Sequence, residues 1–170
     1  MSKNGVIGKN GKIPWNFKSD LEYFKKKTMG NIVVFGRRTF QSLEKTLFGR
    51  KIVVLTRNKD YFVEGTIIEH SAYNIVNNYL KSKDKCFIGG GGEIYNFFID
   101  YAEIIYLTEI EKNFDGNVFF PIEKLTDFRK ESSKSVEEKG VVLNFLKLKR
   151  IKTFFSSWEY YIFMLKFYLF

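Results

Sequence analysis

The sequence predicts a single α/β domain, with a mostly parallel central sheet, flanking helices and an antiparallel hairpin towards the C-terminus. Three observations predict it. Residues 32–35, 51–55 and 85–88 are short continuous apolar runs, the pattern of strands buried on both faces. Helical patterns separate these runs, which gives the strand–helix alternation of a parallel sheet. Residues 128–135 and 141–149, joined through Glu138-Lys139-Gly140, read as an antiparallel pair.

The bulk numbers bound the function. The chain has 170 residues and 45% hydrophobic content, enough for one domain with a proper core and too apolar for a disordered chain. Its one cysteine, Cys86, and one histidine, His70, allow neither an internal disulfide nor a metal cage, so no metal is expected. That cysteine usage favours a reducing, cytoplasmic setting. Met1-Ser2-Lys3-Asn4-Gly5 has no apolar signal region, so export is not expected. The net charge of +9 raises nucleic acid as a partner. The lysines are scattered, however, apart from Lys25-Lys26-Lys27 and residues 147–152, and no basic stripe interleaves with aromatics in residues 1–150. The charge reads as a solvated face or as attraction for small polyanions, and nucleic-acid binding is not expected.

In chain order, residues 6–21 read V-I-G-K-N-G-K-I-P-W-N-F-K-S-D-L. Two glycine-bearing turns lead into Pro14-Trp15, and Asp20 then opens an amphipathic helix. Ser19 and Glu22 form the S-x-x-E pattern of a capping box. Leu21, Phe24, Thr28 and Met29 share one apolar face, with Asp20 at its upstream edge. A carboxyl at the mouth of an apolar pocket can have its pKa raised toward neutrality for acid chemistry. An acid there can equally serve only to favour the helix N-terminus, and position alone leaves both readings open.

After the turn at Gly30-Asn31, the strand at 32–35 ends in Gly36 and runs into Arg37-Arg38-Thr39-Phe40. A glycine leading into a basic helix start is an anion site, because backbone N–H groups and guanidinium groups point the same way. The strand at 51–55 ends in Thr56-Arg57, again basic at the carboxyl edge where open α/β sheets bind ligands. Residues 67–68 are a short strand candidate. Ser71 caps a helix to residue 80 with Ile75, Val76, Tyr79 and Leu80 as its apolar face, and His70 before it has a structural reading only. The strand at 85–88 enters G-G-G-G-E-I-Y, residues 89–95, where glycines let backbone approach a phosphate. The run is neither G-x-G-x-x-G nor a Walker loop. Residues 103–110 are a strand carrying Leu107 and Thr108, and 113–117 a loop.

Six pieces, in order and with compatible spacing, resemble the dihydrofolate reductases of bacterial chromosomal type. They are I-G-K-N-G-K-I-P-W (7–15), D-L-E-Y-F-K (20–25), V-F-G-R-R-T-F-Q-S-L (34–43), G-R-K-I-V-V-L-T-R (49–57), G-G-G-E-I-Y (90–95) and Y-L-T (106–108). The resemblance covers residues 4–150. It implies that family's fold and the NADPH-dependent reduction of 7,8-dihydrofolate to tetrahydrofolate for one-carbon metabolism, with hydride passing to C6 and a proton to N5. It further implies a cytoplasmic monomer with a small-molecule substrate.

The residue roles below are what the resemblance implies. Asp20, Trp15 and Thr108 are the catalytic set: Asp20 holds the pterin and promotes protonation, Trp15 and Ile13 belong to a loop closing over the nicotinamide, and Thr108 bonds Asp20 directly or through water. Leu21, Phe24 and Leu43 line the substrate pocket, and Arg50 pairs with the α-carboxylate of the glutamate tail. Gly36, Arg37, Arg38, Thr39, Thr56 and Arg57 bind the pyrophosphate and adenosine phosphates of NADPH. Gly90, Gly91 and Gly92 lie under the pyrophosphate and Ser42 near the nicotinamide ribose, and Ile7, Glu93 and Tyr95 complete the cofactor set. The alternative is a non-catalytic NADP-binding remnant of the family. Riboflavin-pathway reductases share the fold but not the Trp15, Asp20 and Arg50 constellation.

The sequence departs from the family pattern in four places. The family opens with a buried strand of about eight apolar residues before the place of Asn4. Here only Met1-Ser2-Lys3 precede the match, so a start upstream of Met1 is expected, and without that strand the sheet would have an empty slot. Gly89 stands where the family has Ile or Val, through an insertion or a lost side chain. Asn117 stands where many members carry an acid supporting the mobile loop. Residues 1–150 are read as the reductase-like domain and 151–170 as an extension of unknown role, with nine aromatics in 20 residues. The tail is read first as a read-through extension. The other readings are an interfacial or partner-binding segment and a strand filling the slot. Lys152, Glu159 and Lys166 interrupt it too often for a confident membrane helix.

Overall fold

The computed structural model describes residues 1–43, 47–80, 84–151 and 167–169. In chain order the elements are β1 (Val6–Gly8), α1 (Lys18–Thr28), β2 (Ile32–Gly36), α2 (Arg37–Gln41), β3 (Lys51–Leu55), β4 (Ile67–Glu69), α3 (Ala72–Leu80), β5 (Cys86–Ile88), α4 (Gly92–Phe98), β6 (Ala102–Ile110), β7 (Val118–Phe119), β8 (Phe128–Glu138), β9 (Val141–Arg150) and β10 (Phe167–Leu169). The main sheet has eight strands in the order β4-β3-β2-β5-β10-β6-β9-β8. Strands β4 through β6 in that order are parallel to their neighbours, and β9 and β8 run antiparallel at one edge. A separate antiparallel pair joins β1 to β7.

The apolar runs are strands because both of their faces are covered. Val33, Phe35, Ile52, Val54 and Phe87 face one way, under Phe24 of α1, Phe40 of α2 and Leu43. Ile32, Val34, Val53, Cys86 and Ile88 face the other way, under Ile75 and Val76 of α3 and Phe98 of α4. Period-two alternation thus divides each run between two cores. The side chain of Leu80, expected on the same apolar face as Ile75, lies outside the described residues. The β8–β9 hairpin turns through Lys139 and Gly140, both at positive φ, 55° and 71°. That is the turn whose twist matches paired strands.

Two elements differ from expectation. The Ser19–Glu22 capping box does not form. Helix α1 starts at Lys18, and its N-cap residue, Phe17, makes no side-chain cap bond. The carboxylate of Glu138, at the end of β8, accepts from Lys18 N, Ser19 N and Ser19 Oγ at 2.8, 2.9 and 2.6 Å. One ionised group with two oxygens satisfies two helix amides and a hydroxyl, which a local Glu22 side chain cannot match.

The second difference is β10. It lies between β5 and β6 and pairs with both in parallel. Leu169 is fully buried in the same cluster as Ile88, Ile105 and Phe98. The sheet therefore has no empty slot at that place. Residues 167–169 do what the slot-filling reading of the tail required of them, while residues 152–166 and 170 lie outside the described residues.

Candidate active site

The site is built at the carboxyl edge of the parallel strands, and α1 lies along its substrate side. The start of α1 is anchored by Phe17, buried in a cluster with Ile110, Leu143 and Phe145, and by Glu138. Asp20 follows in the first turn. The Trp15 indole N–H donates to Asp20 Oδ2 at 3.3 Å, and the indole packs on Phe114 with centroids 5.3 Å apart. Acid and indole therefore share one corner.

Eight residues further along α1, about 12 Å of helix axis, Thr28 receives a hydrogen bond from Arg50 Nη1 at 3.3 Å. Arg50 Nε donates to the Phe48 carbonyl at 3.3 Å, and burial draws its guanidinium below the ordinary value. It has no carboxylate partner among the described residues. Between acid and arginine, Leu21 is 57% exposed and Phe24 half-buried, so apolar surface faces open space. Leu43 packs half-buried against the α1-side core. Helix α1 thus carries an acid in its first turn, apolar side chains along its length and an arginine bonded at its end.

Thr108 lies on β6, with its carbonyl accepting from Met1 N. Of the two links expected from Thr108 to Asp20, direct or through water, the direct one is absent among the described residues. Thr108 Oγ1 is buried with no hydrogen-bond partner among the described residues, which leaves a hydroxyl to be satisfied by a ligand or a water. Tyr95 is also within electrostatic reach of Asp20. Burial first, and the Asp20 charge second, push its hydroxyl well above the ordinary tyrosine range.

The other half of the site is a glycine cradle. Gly36 N donates to Gly90 O at 2.8 Å, which ties the end of β2 to the turn after β5. A Cβ on Gly36 would lie 2.9 Å from Ile94, and one on Gly91 would lie 2.9 Å from Thr39 Oγ1. Only glycine permits this approach, and it brings bare backbone to the surface. The Gly90–Gly91 peptide is cis. Gly89 is settled as a lost side chain rather than an insertion: its N–H continues the ladder to Val34 O at 2.8 Å, and a Cβ there would lie 2.3 Å from the Phe35 ring. Phe35 fills the space instead.

Charged groups ring the cradle. Arg38 and Arg57 are exposed, and Arg57 stands 3.9 Å from Glu93. Arg37 bonds Gln41 at 3.1 Å and lies over the Tyr61 ring. Thr56 is buried and its hydroxyl accepts from Asn58 N at 3.2 Å. Ser42 Oγ donates to Thr39 O at 2.7 Å. Ile7 is half-buried beside the cradle-side core, whereas Ile13 is exposed on the loop before Trp15. These groups fit a dinucleotide with an extra phosphate: backbone for the pyrophosphate, and guanidinium groups for a phosphate monoester.

The loop ahead of Trp15 is held in a way the sequence did not suggest. Asn10 and Asn117 pair reciprocally, Asn10 N to Asn117 Oδ1 at 3.1 Å and Asn117 Nδ2 to Asn10 Oδ1 at 3.2 Å. Lys9 pairs with Asp115 at 2.6 Å. A neutral amide thus stands in for the acid expected at 117, and an acid appears two residues earlier. Sequence reasoning also missed Phe35 and Glu138. Phe35 could have been found from its place immediately before Gly36. Glu138 carries no local signal, since its partners are 119 and 120 residues away.

A parallel sheet whose strands β2 and β5 end at glycines at the carboxyl edge, with basic residues beside them, defines a dinucleotide-binding protein of the α/β class. Known proteins narrow the class. The family profile described as dihydrofolate reductase matches residues 1–150, and the chain belongs to the dihydrofolate reductase family. It is 37% identical over 144 residues to the dihydrofolate reductase of Staphylococcus haemolyticus, which covers 83% of this chain and 82% of that one. It is 35% identical over 121 residues to the Bacillus subtilis dihydrofolate reductase, 71% of each chain. Among solved structures, a dihydrofolate reductase from Enterococcus faecalis complexed with NADP(H) and RAB-propyl superposes with a TM-score of 0.84 at 33% identity, covering 89% of this chain and 93% of that one.

Proposed function

We infer that the chain catalyses the NADPH-dependent reduction of 7,8-dihydrofolate to 5,6,7,8-tetrahydrofolate. The observation that carries this reading is helix α1 with Asp20 bonded to Trp15 at its start and Arg50 bonded to Thr28 at its end. Dihydrofolate has matching ends: a pterin whose 2-amino and N3 edge pairs with a carboxylate, and a glutamate whose carboxylate pairs with a guanidinium. When bound, NADPH supplies the hydride that reduces C6.

The roles of the chain's own residues are these. Asp20 orients the pterin and promotes proton arrival at N5. Trp15 fixes the Asp20 carboxylate, and the loop bearing Ile13 excludes water. Thr108 supplies its unpaired hydroxyl to the pterin or to a bridging water. Leu21, Phe24 and Leu43 hold the rings, and Arg50 anchors the tail. Gly36, Gly90, Gly91, Gly92 and Thr39 receive the pyrophosphate. Arg37, Arg38 and Arg57, with Thr56, take the adenosine phosphate end. Ile7, Ser42, Glu93 and Tyr95 border the nicotinamide half.

The non-catalytic alternative is not favoured, because the substrate half is as complete as the cofactor half. Among the described residues no helix is long and apolar enough to cross a membrane, and the lone unpaired cysteine suits a cytoplasmic site of action. The test is loss of reduced-nicotinamide absorbance on adding dihydrofolate to the purified full chain and NADPH. Turnover at an ordinary enzyme rate is expected, and its absence overturns the reading.

A further inference from the structure

The strand β10 stands at the centre of the sheet. Its register places Phe167 beside Cys86, and Leu169 beside both Ile88 and Ile105. Its two neighbours lead directly into the two halves of the site. One residue after Ile88 the glycine run begins, and three residues after Ile105 comes Thr108. Without β10 these two strands would face each other across roughly 10 Å, two strand spacings, with unpaired backbone on both. Further along the same edge of β6, Ser2 pairs with Ile110, also in parallel. Residues from the two ends of the chain thus follow one another along a single edge of β6, ahead of and behind the Thr108 level.

We propose that the C-terminal strand is a positioning element of the active site: it sets the distance between the glycine cradle after β5 and the buried, unpartnered Thr108 hydroxyl on β6. Residues 167–169 belong to the catalytic domain in this assignment, and the division at residue 150 does not separate a domain from an appendage. Leu169 is the positioning residue. It is fully buried between the strands that lead to the glycine cradle and to Thr108. The proposal deepens the reductase reading and rests on it for its kinetic readout only.

The experiment uses the full chain with Leu169→Ala and the conservative Leu169→Ile. Cys86, the one cysteine, reports whether β10 is docked, since it is buried on the strand β10 covers. Leu169→Ala is expected to raise the rate of Cys86 modification by a thiol reagent roughly tenfold or more. It is also expected to lower kcat at least about tenfold through misplacement of the two halves, with NADPH affinity little changed. Leu169→Ile is expected to restore both. Unchanged Cys86 protection together with unchanged kcat in Leu169→Ala overturns the proposal.

If Leu169→Ala does not fold, Phe167→Cys decides the matter. Opposite Cys86 in the ladder, it is expected to form an intrachain disulfide on mild oxidation, and failure to cross-link in a folded chain places β10 elsewhere. Failure of the unsubstituted chain to turn over dihydrofolate would sink the reductase reading alone, because Cys86 protection and cross-linking are read without substrate.

Discussion

Asp20 and Arg37 are where single side chains decide the chemistry. Asp20→Asn keeps the shape and removes the charge, so the pterin loses its ionic anchor and its route to a proton. Turnover near neutral pH is expected to fall roughly 10²- to 10⁴-fold, while NADPH affinity measured by fluorescence quenching stays within a few-fold. Equal loss of both would mean that the substitution damages the fold. Arg37→Ala is expected to weaken NADPH by roughly ten- to a hundredfold, the size of one charged hydrogen bond, and NADH much less. A uniform effect on the two cofactors would remove Arg37 from the phosphate site. At this scale the sequence was legible where chemistry needs a residue type at a fixed spacing, as with Asp20 after Trp15. It was not legible whether Thr108 reaches Asp20 directly or through water, because that depends on distances that no motif encodes.

Helix α1 owes its start to the hairpin. The Glu138 carboxylate is held down to about 2, first by the Ser19 hydroxyl and then by the Ser19 and Lys18 amides. A folded value below the ordinary carboxylate value contributes stability that is fully present above the unfolded value of 4.5. That contribution fades as pH falls toward the folded value. Glu138→Gln is therefore expected to flatten the pH dependence of the denaturation midpoint between about 4.5 and 2. An unchanged slope would show that the cap is not made in solution. This element also shows how sequence reading fails. Ser19 and Glu22 satisfied a local rule, but a carboxylate brought in by the β8–β9 hairpin outcompeted it. The strands β2, β3 and β5 were legible because burial on both faces writes an unbroken apolar run. Three-residue β10 was legible only as one of three open readings of the tail, since its burial depends on neighbours far away in sequence.

For the whole molecule, the cofactor cradle joins α2, α4 and the ends of β2 and β5, so ligand binding should brace the fold. NADPH at a hundred times its Kd is expected to add about 2.7 kcal/mol, which raises the melting midpoint by roughly 5–10 °C for a chain of this size. A midpoint indifferent to NADPH would mean that the cradle does not bind it. The net charge of +9 suits a protein whose substrate and cofactor are both polyanions, and it acts by steering rather than by contact.

The place of β10 also sets a timetable. Among the described strands, the one at the middle of the sheet is the last in the chain. Domains ordinarily begin to fold while synthesis continues. Here β2 with β5, and β6 with β9, can pair early, but the two halves cannot be zipped together until residues 167–169 have been made and have docked. That long-range closure comes late, which slows folding, and until it comes the unpaired edges of β5 and β6 are open to other chains.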